Sequence, residues 1–308
     1  MSAGIAFLLA LLAPLARAGG SRAGDRGIDH GDWNAPQKPF QIYGNSWYVG
    51  PYGLSSILVD TGQGLALFDG DLPESPPVIE ANVRALGFRV EDIKWILSSH
   101  AHPDHAGGIA ALQGDSGAQV LTSAAGARQL ALGGQDRDDP QYQQGAGAGY
   151  PPVLHARVVA DGEVVQLGRV AITAHYTPGH TAGSTSWTWR SCARGRCLRI
   201  AYVDSLSAIS APGYRFSEHP EKMAAFHHAI AVAAALPCDI LLTPHPDASD
   251  FWQKVERRTS ASDAAPFINS HACRAYAAAA AQALQATLKR ERSATAAKQA
   301  TAKARSGQ

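Results

Sequence analysis

Six consecutive residues, His100-Ala101-His102-Pro103-Asp104-His105, hold three imidazoles and a carboxylate directly after the apolar run Ile93–Leu97. Side chains this close repel one another when protonated, so a metal ion is the natural partner that orders them. Imidazole nitrogen and carboxylate oxygen suit zinc without thiolates, and the ligand density exceeds what one ion needs. The cluster therefore predicts a binuclear zinc hydrolase in which later residues complete each coordination shell. Ile93–Leu97 reads as a short buried strand delivering His100, and a helix is expected from Ala106 to Leu112. That order puts the cluster at a strand's carboxyl end.

The same geometry recurs downstream. A strand over Val170–Tyr176 leads into Thr177-Pro178-Gly179-His180, and the apolar run Leu198–Val203 ends at Asp204-Ser205-Leu206-Ser207. A helix over Glu221–Leu236 precedes a strand over Cys238–Thr243, which ends in Pro244-His245-Pro246. Four loops then converge on one edge of a β-sandwich, the place where loops vary while strands hold them still. Upstream, Phe40–Val49, Leu54–Val59 and Gly64–Phe68 read as strands, and Val78–Leu86 as a helix ended by Gly87. With neither repeats nor a Pro/Ser linker, the alternation predicts one layered α/β domain over residues 29–288. A chain of 308 residues with 45% hydrophobic content can bury its core. Of the twelve histidines, His30, His155, His175, His219, His227, His228 and His271 have no such setting and are read as non-ligands.

The ends of the chain have their own signals. An apolar stretch, Ile5–Leu15, runs to the small-x-small site Ala16-Arg17-Ala18, which predicts a signal peptide over residues 1–18 and a periplasmic or secreted product. The stretch falls short of the ~20 residues needed to span a bilayer, so no stable membrane insertion is expected once the leader is cleaved. Residues 289–308 set Lys289, Arg290, Arg292, Lys298, Lys303 and Arg305 against Glu291 alone, and read as a basic, disordered tail. Because the whole chain is formally only +1, the body before the tail has an acidic excess, which argues against a nucleic-acid partner. The four cysteines lack zinc-finger spacing. Export favours disulfides: Cys192 with Cys197 across a hairpin turning at Gly195, and Cys238 with Cys273 pinning the last helix to a strand. Buried free thiols are the alternative.

The pattern His100-x-His102-x-Asp104-His105, then His180, then His245, resembles the metallo-β-lactamase superfamily over nearly the whole chain after the leader. The resemblance implies a four-layer αβ/βα sandwich, with two central β-sheets face to face and helices on the outer faces. It also implies two Zn2+ per chain, the first bound by His100, His102 and His180, the second by Asp104, His105 and His245. The segment Ala201-Tyr202-Val203-Asp204-Ser205-Leu206-Ser207-Ala208 leaves two readings open. An Asp204 that bridges the zincs would resemble glyoxalase II and the lactonases. A Ser205 standing where others have a cysteine ligand would resemble the third subclass of class B metallo-β-lactamases. Ala211-Pro212-Gly213-Tyr214, Leu236-Pro237-Cys238-Asp239, Leu242-Thr243-Pro244-His245-Pro246, Trp33-Asn34 and the pair Cys238 and Cys273 are similar to that subclass. Ile209-Ser210 departs from it, lengthening the stretch at the pocket lip.

The likeness to that subclass further implies hydrolysis of the β-lactam amide of penicillins, cephalosporins and carbapenems by a metal-bound hydroxide, conferring antibiotic resistance. The substrate would be a small molecule and the enzyme a monomer. A thioester or lactone hydrolase of the same superfamily is the alternative, and a zinc-holding binding protein without turnover ranks last. Asp104 is the catalytic candidate, orienting the nucleophile or delivering a proton to the departing nitrogen. Ser205 and Ser207 are candidates to hold the substrate carboxylate, ordinary loop serines being the alternative. A ligating imidazole donates its other N–H to a carboxylate or carbonyl. Asp69 and Asp204 are the expected acceptors and Asp60 a further one, with turn capping the alternative for Asp69 and Asp60. Trp33, Tyr43 and Phe251 are candidates for an apolar wall, although core packing is commoner for large aromatics.

Overall fold

The computed structural model describes residues 33–142 and 149–306, all within one compact unit. The expected leader and His30 lie outside the described residues. A seven-stranded sheet runs in chain order through β1 (Phe40–Tyr43), β2 (Ser46–Tyr48), β3 (Ile57–Asp60), β4 (Leu65–Phe68), β5 (Ile93–Leu97), β6 (Gln119–Thr122) and β7 (Arg157–Val158). Its first four strands pair antiparallel and the rest parallel. The second sheet comprises β8 (Val164–Leu167), β9 (Val170–Tyr176), β10 (Thr185–Ala193), β11 (Arg196–Tyr202) and β12 (Ile240–Leu242). Only β11 and β12 pair parallel there.

Strand alternation builds the layers, because successive side chains point to opposite faces. Ile57, Val59, Ala66 and Phe68 meet Ile172, Ala174, Ile200 and Tyr202 in the core between the sheets. The intervening Leu58, Leu65 and Leu67 face outward onto α1 (Pro76–Ala85), α3 (Ile109–Ser116) and α4 (Ala124–Ala131), through Ile79, Val83, Ile109, Leu112 and Leu130. On the far side, Ala201 and Leu241 pack on Ala229 and Ala233 of α5 (Pro220–Ala235) and on Ala277 of α7 (Ala272–Ser306). The order helix, sheet, sheet, helix is the expected sandwich. Among the described residues no helix is long and apolar enough to cross a membrane.

Both expected disulfides are present. Cys192 and Cys197 face each other across β10 and β11, where Arg194 and Gly195 both have positive φ, the requirement of a type I′ turn. Cys238 and Cys273 join the approach to β12 to the first turn of α7.

Three expectations need correction. The stretch Phe40–Val49 is two strands, because the turn at Gly44-Asn45 doubles the chain back on itself. The helix expected from Ala106 is split into α2 (Pro103–Ala106) and α3 at Gly107-Gly108. Gly108 lies against β4's exit so closely that a Cβ there would meet the Gly70 carbonyl oxygen at 2.2 Å. The tail expected to be disordered from Lys289 continues α7 as far as Ser306. Charge and low complexity suggested disorder, but alanine is the strongest helix former and the extension is anchored. Just before it, Leu284 and Leu288 pack with Phe216 and Phe226, and within it the Glu291 carboxylate accepts the backbone N–H of Phe216 at 3.0 Å and of Ser217 at 2.8 Å.

Candidate metal centre

The carboxyl ends of β5, β9, β11 and β12 supply the site. Beyond β5, Ser98 N–H still bonds to Leu121 O at 3.1 Å, and Thr185 N–H reaches Ser99 O at 2.8 Å. Asp69 fixes the next step: its Oδ1 accepts Ser99 N–H and its Oδ2 accepts the Ser99 hydroxyl, each at 2.7 Å, while the Tyr202 hydroxyl donates to Oδ2 at 2.7 Å. His100 follows this clamp. His102 is the N-cap of α2, whose single turn carries Asp104 and His105. His180 sits in the loop after β9, and His245 after β12.

These side chains meet as two adjoining clusters. In the first, His102 Nδ1 lies 3.1 Å from His180 Nε2, and donor atoms of His100, His102 and His180 fall within 4.8 Å of one another. In the second, His105 Nε2 lies 3.1 Å from His245 Nε2, and Asp104 Oδ2 is 3.1 Å from the former and 3.2 Å from the latter. His100 also lies within reach of Asp104 and His105. Its Nε2 is buried with no hydrogen-bond partner among the described residues. Nitrogens on one tetrahedral zinc stand about 3.4 Å apart for Zn–N bonds of about 2.0–2.1 Å. The donor types, the close N···N approaches and the orphaned Nε2 all fit a divalent metal.

In the first cluster every nitrogen turned away from the centre has an acceptor. His100 Nδ1 is 2.7 Å from Asp204 Oδ1, and His180 Nδ1 is 2.8 Å from the Ser207 carbonyl oxygen. His102 Nε2 is 3.1 and 3.2 Å from the two oxygens of Asp139. Burial and the neighbouring imidazoles hold His100 and His180 well below the ordinary histidine range. Both rings are therefore neutral at pH 7 and keep a lone pair for a metal. Burial pulls His102 down as well, but the Asp139 carboxylate outweighs it and raises the ring overall. Burial pushes Asp104 up, yet the His105 and His245 imidazoles carry it well below the usual carboxylate range, so it is ionised. Asp69 is pushed up to about 8 by burial, against the pull of the Ser99 and Tyr202 hydrogen bonds. The centre opens to solvent beside His245, whose side chain is 33% exposed.

The other candidates divide between this edge and the rest of the molecule. Asp204 engages His100, in the role expected of an outer acceptor. Asp69 reaches that ring only through Ser99, whose hydroxyl lies 3.3 Å from His100 Nδ1. Asp60 caps a turn instead, accepting Gly62 N–H at 2.7 Å. The Ser205 and Ser207 hydroxyls are 2.9 Å apart, and Ser207 Oγ is 3.2 Å from His180 Nδ1. Trp33 stands at the open side, its ring centroid 5.1 Å from that of His245. Tyr43 and Phe251 do not line the site: the Tyr43 hydroxyl bonds to Arg196 O near the far hairpin, and Phe251 belongs to the core between the sheets. Asp139 escaped the sequence reading. Each ligating ring calls for an outer acceptor, so a partner for His102 was to be expected beyond Asp69, Asp204 and Asp60, but at 37 residues' distance Asp139 carries no local mark of that role.

A family model described as the metallo-beta-lactamase superfamily matches residues 41–192. The hydroxyacylglutathione hydrolase of Anaeromyxobacter dehalogenans is 34% identical over 134 residues, 44% of this chain, and the chain spans only 41% of that relative's length. MEM-A1, a subclass B3 metallo-beta-lactamase isolated from a soil metagenome library, is 48% identical, with a TM-score of 0.81 covering 85% of this chain and 99% of that one. Rm3 metallo-beta-lactamase is 50% identical, with the same TM-score of 0.81, covering 85% of this chain and 97% of the other.

Proposed function

The chain belongs to the metallo-β-lactamase superfamily, and on that premise we propose that it is a zinc-dependent hydrolase opening the amide bond of β-lactam antibiotics. The observation that carries the reading is the convergence of two donor clusters on one open edge, with nitrogen pairs 3.1 Å apart in each. Likeness to MEM-A1 and Rm3 at 48% and 50% identity supports this substrate class over a thioester, since the hydroxyacylglutathione hydrolase is less similar over less of the chain. Two Zn2+ suit the donor set, one on His100 Nε2, His102 Nδ1 and His180 Nε2, the other on Asp104 Oδ2, His105 Nε2 and His245 Nε2. Export after cleavage of residues 1–18 and a monomeric state belong to the same proposal.

Zinc at these positions supplies Lewis acidity and lowers the pKa of water to about 7, so that a nucleophile exists at neutral pH. The protein's part is to prepare the donors and the substrate. Asp204 and the Ser207 carbonyl accept the outward N–H of His100 and His180, which selects the tautomer that leaves Nε2 free. Asp104, ionised and held between His105 and His245, would take up the proton that the attacking water loses and return it to the amide nitrogen as the C–N bond breaks. The Ser205 and Ser207 hydroxyls donate to the substrate carboxylate beside His180, while Trp33 offers an apolar wall beside His245.

Hydrolysis of nitrocefin and imipenem, with an acyl-glutathione and an acyl-homoserine lactone as competitors, tests the proposal. Turnover of the β-lactams that is lost with chelator and regained with zinc is the expected result. Turnover of the thioester or lactone alone overturns the substrate class; β-lactam turnover by protein that elemental analysis shows to be metal-free overturns the zinc reading.

A further inference from the structure

The three acceptors behind the first cluster differ in what holds them. Asp204 lies two residues past the end of β11 and is wholly buried, and Ser207 contributes a backbone carbonyl. Asp139 lies in irregular chain between α4 and β7, yet it is only 9% exposed and both its oxygens face His102 Nε2. The same carboxylate has a second duty, since its Oδ1 accepts the backbone N–H of Gln141 at 2.7 Å.

This segment is fastened to three parts of the rim. Asp136 accepts from Arg128 Nη1 and Gln129 Nε2, both at 3.1 Å, and Gln129 Oε1 in turn accepts Gly183 N–H at 3.0 Å, just beyond His180. The Pro140 carbonyl oxygen accepts Ala211 N–H at 2.8 Å, which ties in the lengthened stretch after Ser207. The Asp138 carbonyl oxygen accepts from Lys222 Nζ at 3.1 Å, which adds α5. One carboxylate thus stands where the ring of His102 and the pocket rim meet.

We propose that Asp139 is a positioning residue that couples metal retention by His100, His102 and His180 to the placement of the rim at Gln141 and Ala211. The inference rests on the zinc reading of the site. By bonding Nε2, Asp139 leaves Nδ1 of His102 turned toward His180, and by bonding Gln141 it keeps its own loop folded against the ring. Coupling of this kind is reciprocal: whatever a bound metal adds to the order of the rim, the rim returns in metal affinity.

Zinc-loaded wild type, Asp139→Ala and Asp139→Asn are compared by titration with a chromophoric chelator, by kcat and KM for nitrocefin, and by amide hydrogen exchange before and after chelation. In Asp139→Ala one zinc equivalent is held about 10–100-fold more weakly, the usual cost of losing an outer partner, and KM rises. In Asp139→Asn, whose carbonyl oxygen still accepts from Nε2, most of the retention returns. Zinc slows exchange at Gln141 and Ala211 in wild type and not in Asp139→Ala. Wild-type retention in Asp139→Ala, equal loss in both variants, or zinc-independent exchange at the rim each overturn the proposal, and Asp139→Asn decides it alone should the alanine variant not fold. A wild-type protein that holds no zinc sinks the earlier reading instead.

Discussion

The two donor clusters share the segment His100–His105 but are held in different ways. The first is braced: His100, His102 and His180 each have an acceptor behind the ring, two of them carboxylates. The second is looser. His105 Nδ1 is buried with no hydrogen-bond partner among the described residues, and the His245 side chain is one-third exposed beside Trp33. Preorganised ligands spend less of their binding energy on ordering, so, with zinc in both clusters as proposed, the difference teaches that they should release it unequally, the second before the first.

Replacing the ligands breaks the comparison most severely. His180→Ala is expected to lower kcat/KM for nitrocefin by at least about 10²-fold, the scale of losing one group that stabilises the transition state. His245→Ala removes activity as well, but elemental analysis should find about one zinc equivalent retained there. Equal zinc contents in the two variants would contradict the ranking of the clusters. A smaller effect is expected from Asp204→Ala, which removes the acceptor behind His100. Chelator titration should show the tighter zinc loosened by about 10–100-fold and the weaker one unchanged, so that the two release steps draw together. Trp33→Ala makes the smallest change. Loss of an aromatic contact worth about 1 kcal/mol should loosen the weaker zinc by less than tenfold and leave the tighter one alone; a change confined to the tighter zinc would place the tryptophan wrongly.

Much of this centre could be read from the chain because its signals are local. The ends of β5 and β9 agree with the apolar runs Ile93–Leu97 and Val170–Tyr176; each histidine that reaches the site comes within a few residues of such a run or in the cluster it delivers. Tyr43 and Phe251 show where local reading stops. An aromatic residue on a strand or helix carries no mark of which face it occupies until the partner sheet is in place, and both turned from the site. The tail failed for another reason, since its charges were visible but the backbone N–H groups of Phe216 and Ser217 that Glu291 accepts were not.

Residue chemistry and spacing by themselves determined that a metal-ready edge would form and which imidazoles would reach it, because donor type and strand period belong to short stretches of chain. Only the tertiary structure decided which nitrogen of each ring faces the centre. That choice depends on acceptors brought in from elsewhere, Asp204 lying 104 residues from His100 and Asp139 lying 37 from His102. Hydrogen bonds across such separations are set by the packing of whole sheets and loops, and no local pattern encodes them.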